Sequence, residues 1–229
     1  GGCTTVPPQR VVDVIIGALS KVVPEQCCAC NGQWSGGIYG GIDPKTNRNF
    51  VYNESFGCGL GAKYNDDGAN GHHPHMSNTA NAPTEMIEME HPIRVLQYSL
   101  VQDSGGAGEY RGGLGLLREV ELLTETNVSI IADRDKIRPY GLFGGQGGLP
   151  NAHYGKFPDG SQHTIAAEKV PAGTITVQRT SGGGGWGDPA KRDRKLIEWD
   201  VLNGYVSIEA AKREYGVTID PETMKIVED

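Results

Sequence analysis

Clustered glycines are the feature that most limits how this chain can fold. Glycine occupies 34 of the 229 positions, about twice its average share of roughly 7%. The clusters, such as FGCGLG, GGAGEYRGGLG and SGGGGWG, follow no collagen-like period. Since glycine tolerates tight turns and close chain approach, this pattern favours short strands joined by shaped loops. We expect an α+β fold with a sheet-rich body of glycine loops, an amino-terminal helix and a small carboxy-terminal helical tail.

The secondary structure follows from periodicity. Aliphatic residues at helical spacing, with prolines at both ends, predict a helix over residues 7–24. The turn DPKTNRN predicts a hairpin. Further strands are predicted in PIRVLQYSLV, LLREVEL, NVSIIA, HYGKF, SQHTIAA and GTITVQRT. The glycine run before GDPAKRD predicts a hinge, which divides the chain into a body at 1–186 and a tail at 187–229.

Two short helices are predicted in that tail. The first ends near Asn203 and Gly204. The second begins after Ser207, a good N-cap residue, has Glu209 in its first turn, and is followed by Gly216.

The overall charge narrows the choice of partners. The net charge is −7 and the isoelectric point is near 5.4, which argues against nucleic acid or an anionic membrane as the main partner. No apolar run approaches the roughly 20 residues that span a bilayer. The amino end lacks the pattern of a signal peptide. We therefore expect a soluble, cytoplasmic protein.

The five cysteines predict no metal site by themselves. They are Cys3, Cys27, Cys28, Cys30 and Cys58. The CCAC stretch contains C-x-C, but the sequence has no second C-x-x-C or H-x-x-x-H that would complete a structural zinc site. We expect these cysteines to pack as small apolar side chains. Cys58, between glycines, is a weak candidate for a nucleophile.

A polar stretch at residues 65–90 is the main candidate for chemistry. Its side chains Asp67, His73, His75, Glu85 and Glu88 could exchange protons or bind a divalent metal. The amides of Asn78 and Asn81 could bind polar substrate atoms. An exposed, solvated loop is the alternative. Thr84 is a plausible N-cap for a short helix inside the stretch.

The glycine loops do not match the known phosphate-binding motifs. Neither G-x-x-x-x-G-K-[ST] nor a G-x-G-x-x-G between a strand and a helix is present. Arg111, flanked by glycines in GEYRGGLG, could present its guanidinium to an anion. The alternative is that these glycines only form tight turns.

Five blocks of sequence together resemble the carboxy-terminal part of the hydantoinase B family. They are DGANGHHPHMSNTANAPTEMIEMEHPIRV, DSGGAGEYRGGLGLLRE, DRDKIRPYGLFGGQGG, GGGGWGDP and VLNGYVSIEAAKREYGVTID. The family comprises B-type subunits or domains of ATP-dependent N-methylhydantoinases and 5-oxoprolinases, and subunits of acetone and acetophenone carboxylases. Family members usually have well over twice this length. The resemblance therefore implies a split subunit or the carboxy-terminal product of a cut precursor.

The resemblance implies a multi-subunit enzyme. A hydantoinase A-type ATPase subunit would use ATP and Mg to phosphorylate a small-molecule carbonyl or cyclic amide, and the B-type part would complete the reaction. A divalent metal is expected in the amino-terminal B-type fragment or subunit, which this sequence lacks. The blocks are common to hydrolases and ketone carboxylases, so both remain open. A non-catalytic subunit that completes the B-type fold and docks the ATPase also remains open, as does a metal module built on His73 and His75.

The family's motifs match this sequence at residues of the polar stretch and the next glycine loop. The implied site has His73 or His75 as the general acid or base, oriented by Asp67 or Glu85. The substrate-binding residues would be Asn78, Asn81, Arg111 and Asp103, with Arg111 meeting an anionic intermediate. Cys58 stands where the family has a small residue, which argues against a nucleophile.

Overall fold

The computed structural model describes residues 6–227, and Cys3 lies outside that range. Four α-helices, nine strands and two short 3₁₀ turns occur among the described residues. The helices are α1 (Val6–Leu19), α2 (Thr84–Glu90), α3 (Arg194–Leu202) and α4 (Ile208–Tyr215). The strands are β1 (Ser35–Asp43), β2 (Arg48–Phe56), β3 (Ile93–Leu100), β4 (Leu116–Leu122), β5 (Thr126–Ile131), β6 (Ala152–Lys156), β7 (Gln162–His163), β8 (Ala167–Val170) and β9 (Ile175–Arg179). The predicted α+β class is confirmed.

Two antiparallel sheets form the body. One has the order β2-β1-β5-β8 and the other β3-β4-β9-β6-β7. Strict alternation of buried and half-buried residues along β4 follows from its sequence LLREVEL. Tyr39, Val120, Leu122 and Val128 are among the side chains of the shared core. β4 and β5 are neighbours in sequence, yet they pair in different sheets.

The glycine run predicted to be a hinge is instead buried inside the molecule. Gly183 N donates to Gly113 O at 2.9 Å, and Gly184 N donates to Cys30 O at 2.8 Å. A Cβ added at any of residues 182–185 would collide with the backbone of a neighbouring segment. Glycine is therefore required here for close packing of chain against chain, and the hinge prediction is wrong.

The helical tail agrees with the sequence prediction. α3 ends at the C-cap Asn203, and α4 is capped by Ser207, whose hydroxyl accepts from Ala210 N. Gly216 follows α4 in the left-handed conformation, with φ 71°. Buried aliphatic side chains of both helices pack with Ala107 of the body in a second core.

Three local predictions need correction. α1 ends at Leu19, not at residue 24, and a 3₁₀ turn covers Pro24–Gln26. Thr84 is the first residue of α2 and does not cap it, because the N-cap is Pro83 and no side chain caps the helix end. The short strand β8 was not predicted separately from the segment before it. No helix among residues 6–227 is long and apolar enough to cross a membrane.

Candidate functional site

The polar stretch contributes to three separate groups of side chains and forms no single cluster. We call them the tail network (Asp67, Arg111, Arg192, Asp200), the Asp13 cluster (Asp13, Arg10, Arg134, His75, Asn31) and the Glu54 cavity (Glu54 with Trp34, Tyr52, Ser77, Asn81 and their neighbours). The carboxylates predicted to orient a histidine, Asp67 and Glu85, make no such contact among the described residues. Some residues of the stretch therefore stabilise the fold, whereas others are candidates for chemistry.

The tail network is a set of ion pairs that are buried except at Asp67, whose side chain is 29% exposed. Asp200 Oδ2 lies 2.7 Å from Arg192 Nη2 and 3.2 Å from Arg111 Nε, and its side chain is fully buried. Asp67 binds Arg192 through both carboxylate oxygens, at 2.8 and 2.7 Å. Burial opposes ionisation of Asp67, yet the hydrogen bond and charge of Arg192 hold its pKa below the ordinary value. The network joins the body to the start of the tail.

Arg111 and Asp103, predicted to bind substrate, both have partners within the protein. Arg111 is 3% exposed, and its guanidinium also binds Asn70 Oδ1 and Gly112 O. Asp103, at φ 61°, accepts a hydrogen bond from Ser207 N at 2.7 Å through its carboxylate. Both residues fix the tail against the glycine loops. An anionic intermediate would have no access to the buried, paired guanidinium of Arg111.

The Asp13 cluster brings α1 together with His75 of the polar stretch. Arg10 and Arg134 each place Nη2 3.2 Å from Asp13 Oδ2. His75 Nε2 lies 3.3 Å from Asp13 Oδ1, and Asn31 Nδ2 donates to the same oxygen at 3.4 Å. The side chain of Asp13 is 2% exposed, whereas that of His75 is 21% exposed. His75 thus connects a buried carboxylate with the surface.

The surroundings of His75 act on its pKa in opposite directions. Burial lowers its pKa, and the Arg10 charge acts in the same direction, while the negative charge of Asp13 opposes them. A lowered pKa favours the neutral imidazole, which can accept a proton. Asp13 then stabilises the imidazolium and fixes the orientation of the ring.

His73 lies beside the Glu54 cavity, and its ring has no hydrogen bond or ion pair with a carboxylate among residues 6–227. Its Nδ1 is 3.0 Å from Ser77 Oγ, which also accepts from Gln9 Nε2 at 3.2 Å. Burial and the neighbouring His72 lower the pKa of His73. Residues 73–83 form no strand.

The Glu54 cavity has a volume of about 560 Å³ and is lined by the polar stretch and the first hairpin. Its lining includes Trp34, Tyr52, Glu54, Met76, Ser77 and Asn81. Arg118 holds the Glu54 carboxylate with Nε at 2.9 Å and Nη2 at 2.8 Å, and Tyr52 donates to it at 2.9 Å. Such a volume suits a small molecule.

Asn81 has a fixed side chain at the wall of this cavity. Its amide nitrogen donates to Ser55 O at 3.0 Å, and its amide oxygen accepts from Tyr98 OH at 3.0 Å. The ring of Tyr98 in turn stacks on Arg118, 4.8 Å from the guanidinium carbon. Asn78 and Glu85 are exposed, and no side-chain hydrogen bond of theirs occurs within residues 6–227.

The described cysteines offer no reactive thiol. Cys58 is fully buried, and desolvation raises the pKa of its thiol well above the ordinary value. Burial also raises the pKa of Cys30 to about 12. Within residues 6–227, no three histidine, cysteine or acidic side chains are placed to hold a metal ion. The residues present therefore do not fit a metal centre on their own, and the metal-module alternative has no support in the described part.

Sequence reasoning missed Asp13, Arg134, Glu54 and Arg118. Asp13 stood alone in an aliphatic helix pattern, and that isolation was the one signal that could have found it. Arg118 and Glu54 lie on alternating strands, where charged residues usually face solvent.

Comparison with known proteins identifies the family. The sequence profile described as Hydantoinase B/oxoprolinase matches residues 1–189. The chain belongs to this family. An uncharacterized protein of Methanocaldococcus jannaschii is 42% identical over 215 residues, which cover 92% of this chain and 37% of that protein.

A functional comparison is available with caprolactamase of Pseudomonas jessenii. Its subunit beta is 33% identical over 231 residues, covering 95% of this chain and 40% of that subunit. The crystal structure of that ATP-dependent caprolactamase superimposes with a TM-score of 0.81 over 96% of this chain and 40% of the other, at 29% identity.

Acetone carboxylase shares the fold. Its nucleotide-free structure matches with a TM-score of 0.74 at 19% identity, over 92% of this chain and 33% of that one. This chain thus spans between about a third and two fifths of the length of these relatives. The family includes ATP-dependent enzymes, and this chain corresponds to one portion of them.

Proposed function

We propose that this chain is the portion of a B-type subunit that contributes a proton-transfer group to the ATP-dependent hydrolysis of a cyclic amide. The observation that supports this most is the likeness to ATP-dependent caprolactamase along 96% of the chain. Caprolactam, which that enzyme's name specifies, is a cyclic amide. The likeness to acetone carboxylase, at 19% identity, supports a common fold and does not favour carboxylation.

His75 and Asp13 carry the proposed chemistry. Neutral His75 takes a proton from water as the water oxygen adds to the activated carbonyl carbon. It returns that proton to the ring nitrogen as the C–N bond breaks. This leaves an acyl phosphate, which a second water hydrolyses to the carboxylate and inorganic phosphate. Asp13, 3.3 Å away, stabilises the imidazolium between the two steps. Asn81, with Ser77, would bind polar substrate atoms at the Glu54 cavity.

The remaining components belong to other parts of the assembly in this proposal. An A-type ATPase subunit supplies ATP and Mg, which activate the amide by phosphorylating its oxygen. A divalent metal, if the assembly uses one, is held by the amino-terminal B-type part, because the described residues offer no ligand set. The chain by itself is then expected to be inactive.

Substitution of His75 in the complete assembly tests the proposal. We expect His75→Gln to lower ATP-dependent hydrolysis of caprolactam or 5-oxoproline by about 10²–10⁴-fold, while native mass spectrometry shows an unchanged assembly. His72→Gln is the matched control, because His72 is an exposed histidine of the same stretch whose backbone, not its ring, bonds to Cys58. A His75→Gln enzyme with wild-type turnover would exclude the proposed role. Acetone with bicarbonate in the same assay tests the carboxylase alternative.

A non-catalytic subunit is the second candidate, and the tail network favours it. Asp67, Arg111 and Asp103, all predicted site residues, instead hold the tail to the body. A structural role for the whole chain predicts that His75→Gln loses assembly and turnover together. Loss of turnover with the assembly intact would exclude the non-catalytic role.

A further inference from the structure

Helix α1 packs with its polar side inward and its apolar side outward. Gln9 and Asp13 are its buried residues, at 0% and 2% exposure. Val11, Val14 and Ile15 are 57%, 68% and 52% exposed. A helix on the surface of a complete globular body shows the opposite arrangement, because apolar side chains gain free energy by leaving water.

Specific contacts fix this orientation. The Asp13 carboxylate is bound by Arg10 and Arg134, and its carbonyl accepts from Tyr140 OH at 2.6 Å. Gly17, one turn further along the same side, lies directly against Tyr140, where an added Cβ would collide with the hydroxyl. Rotating the helix to bury its valines would therefore strip a buried carboxylate of its partners.

The outward side of α1 carries no charge. It consists of Val11, Val14, Ile15, Ala18 and Leu19; beyond the helix, Val22 is 78% exposed beside the exposed Lys21. The charged residues of α1, Arg10 and Asp13, both belong to the inward cluster. Contiguous, uncharged aliphatic surface is typical of obligate interfaces, whereas transient partners meet more polar surfaces.

We propose that this aliphatic side of α1 is the surface on which the rest of the B-type protein docks. The chain accounts for 37% of the archaeal relative and 40% of caprolactamase subunit beta, so these proteins contain a large B-type portion that this chain does not include. A permanent, core-like contact fits a further portion of the same protein, since obligate interfaces are the more apolar ones. The inference depends on family membership and coverage, and not on the chemistry proposed for His75.

A site-specific photo-cross-link tests this docking in the source organism. The photoreactive residue p-benzoylphenylalanine replaces Val14 in the protein as its cells produce it, and mass spectrometry identifies the linked peptides after irradiation. The same replacement of Val51 is the control. Val51 is also an exposed valine, at 71%, but its same-side neighbours on β2 are Asn49 and Asn53.

We expect a cross-link from position 14, and only background from position 51, to a peptide of B-type sequence outside the region covered by this chain. That peptide would lie either in a separate polypeptide or in the same one. A link from position 14 to a second copy of this chain, to an ATPase subunit, or to nothing would overturn the proposal. Wild-type turnover in His75→Gln with the cross-link retained would count against the His75 chemistry alone, so the two proposals fail separately.

Discussion

Two buried aspartates, Asp200 and Asp13, each lie between two arginines, yet their surroundings differ. Asp200 is fully buried, and Arg192 also binds a second carboxylate, Asp67. The tail network thus has two positive and two negative groups and contains no histidine. Asp13 has two arginines of its own, and its next neighbour is His75, which reaches the surface.

This difference separates a network that only stabilises the fold from a cluster that we propose transfers protons. In the tail network every strong charge is matched inside the protein, so its contribution is to hold α3 to the glycine loops. In the Asp13 cluster the same residue types adjoin the imidazole of His75, the group that we propose exchanges a proton with a bound molecule. Buried ion pairs by themselves therefore do not mark an active site, and a titratable group at their exposed end is needed.

The largest effect is expected from Asp200→Asn, which would break the tail network. Arg111 and Arg192 would lose the carboxylate that they share, and we expect the free energy of unfolding to fall by about 3–5 kcal/mol. Urea denaturation measures it. Glu90→Gln, at an exposed acid, is the control and should change stability by about 0.5 kcal/mol or less. Equal midpoints for both variants would show that the network does not stabilise the tail.

Asp13→Asn should cost less, about 2–3 kcal/mol in the same assay. Arg10 is 20% exposed and can be solvated after the change. The substitution also removes the negative charge that raises the pKa of His75. We therefore expect that pKa to fall further below the ordinary value, as followed by NMR titration of the ring. A pKa that rises would contradict the assigned contact.

Partly buried His73 should make stability depend on pH. Burial lowers the pKa of His73 in the folded state, so the unfolded chain binds more protons below the ordinary histidine value of about 6.5. The contribution of neutral His73 to the free energy of unfolding is complete above that pH. It is lost as the pH falls toward the pKa of His73 in the folded state. The urea midpoint should therefore drop between pH 7 and 5, and less so in His73→Asn. His163→Asn, at a surface contact with Glu168, is the control for the substitution.

The smallest expected effect on stability comes from a comparison of the amino-terminal ends of α4 and α2. Ser207→Ala removes the hydroxyl that accepts from Ala210 N and should cost about 1 kcal/mol. Thr84→Ala should change stability by only a few tenths of a kcal/mol, because Thr84 caps nothing. Similar losses in the two variants would mean that Thr84 has a stabilising contact of another kind.

Local elements were predictable from the sequence where one physical rule dominates. The hairpin β1–β2, the alternation in β4 and the caps of α4 follow from turn chemistry, period-2 patterning and capping. The end of α1 and the start of α2 were misplaced by a few residues, because prolines allow several boundaries. The glycine run at 182–185 was misinterpreted, because composition alone does not distinguish a flexible glycine segment from one packed against other backbone.

The candidate site was only half predictable. The polar stretch and His75 were found from their composition, but the carboxylate that contacts His75 was not.

By itself, then, the sequence determined the α+β class, most strands and helices, the polar stretch and the resemblance to the family. The tertiary structure decided which charged side chains contact each other. The arginine partners Arg134 and Arg192 lie 121 and 125 residues from Asp13 and Asp67. Local propensity and periodicity act over a few residues, whereas such contacts depend on how two sheets and the buried glycine segments close the chain on itself. For the same reason only the structure revealed that α1 turns its aliphatic side outward.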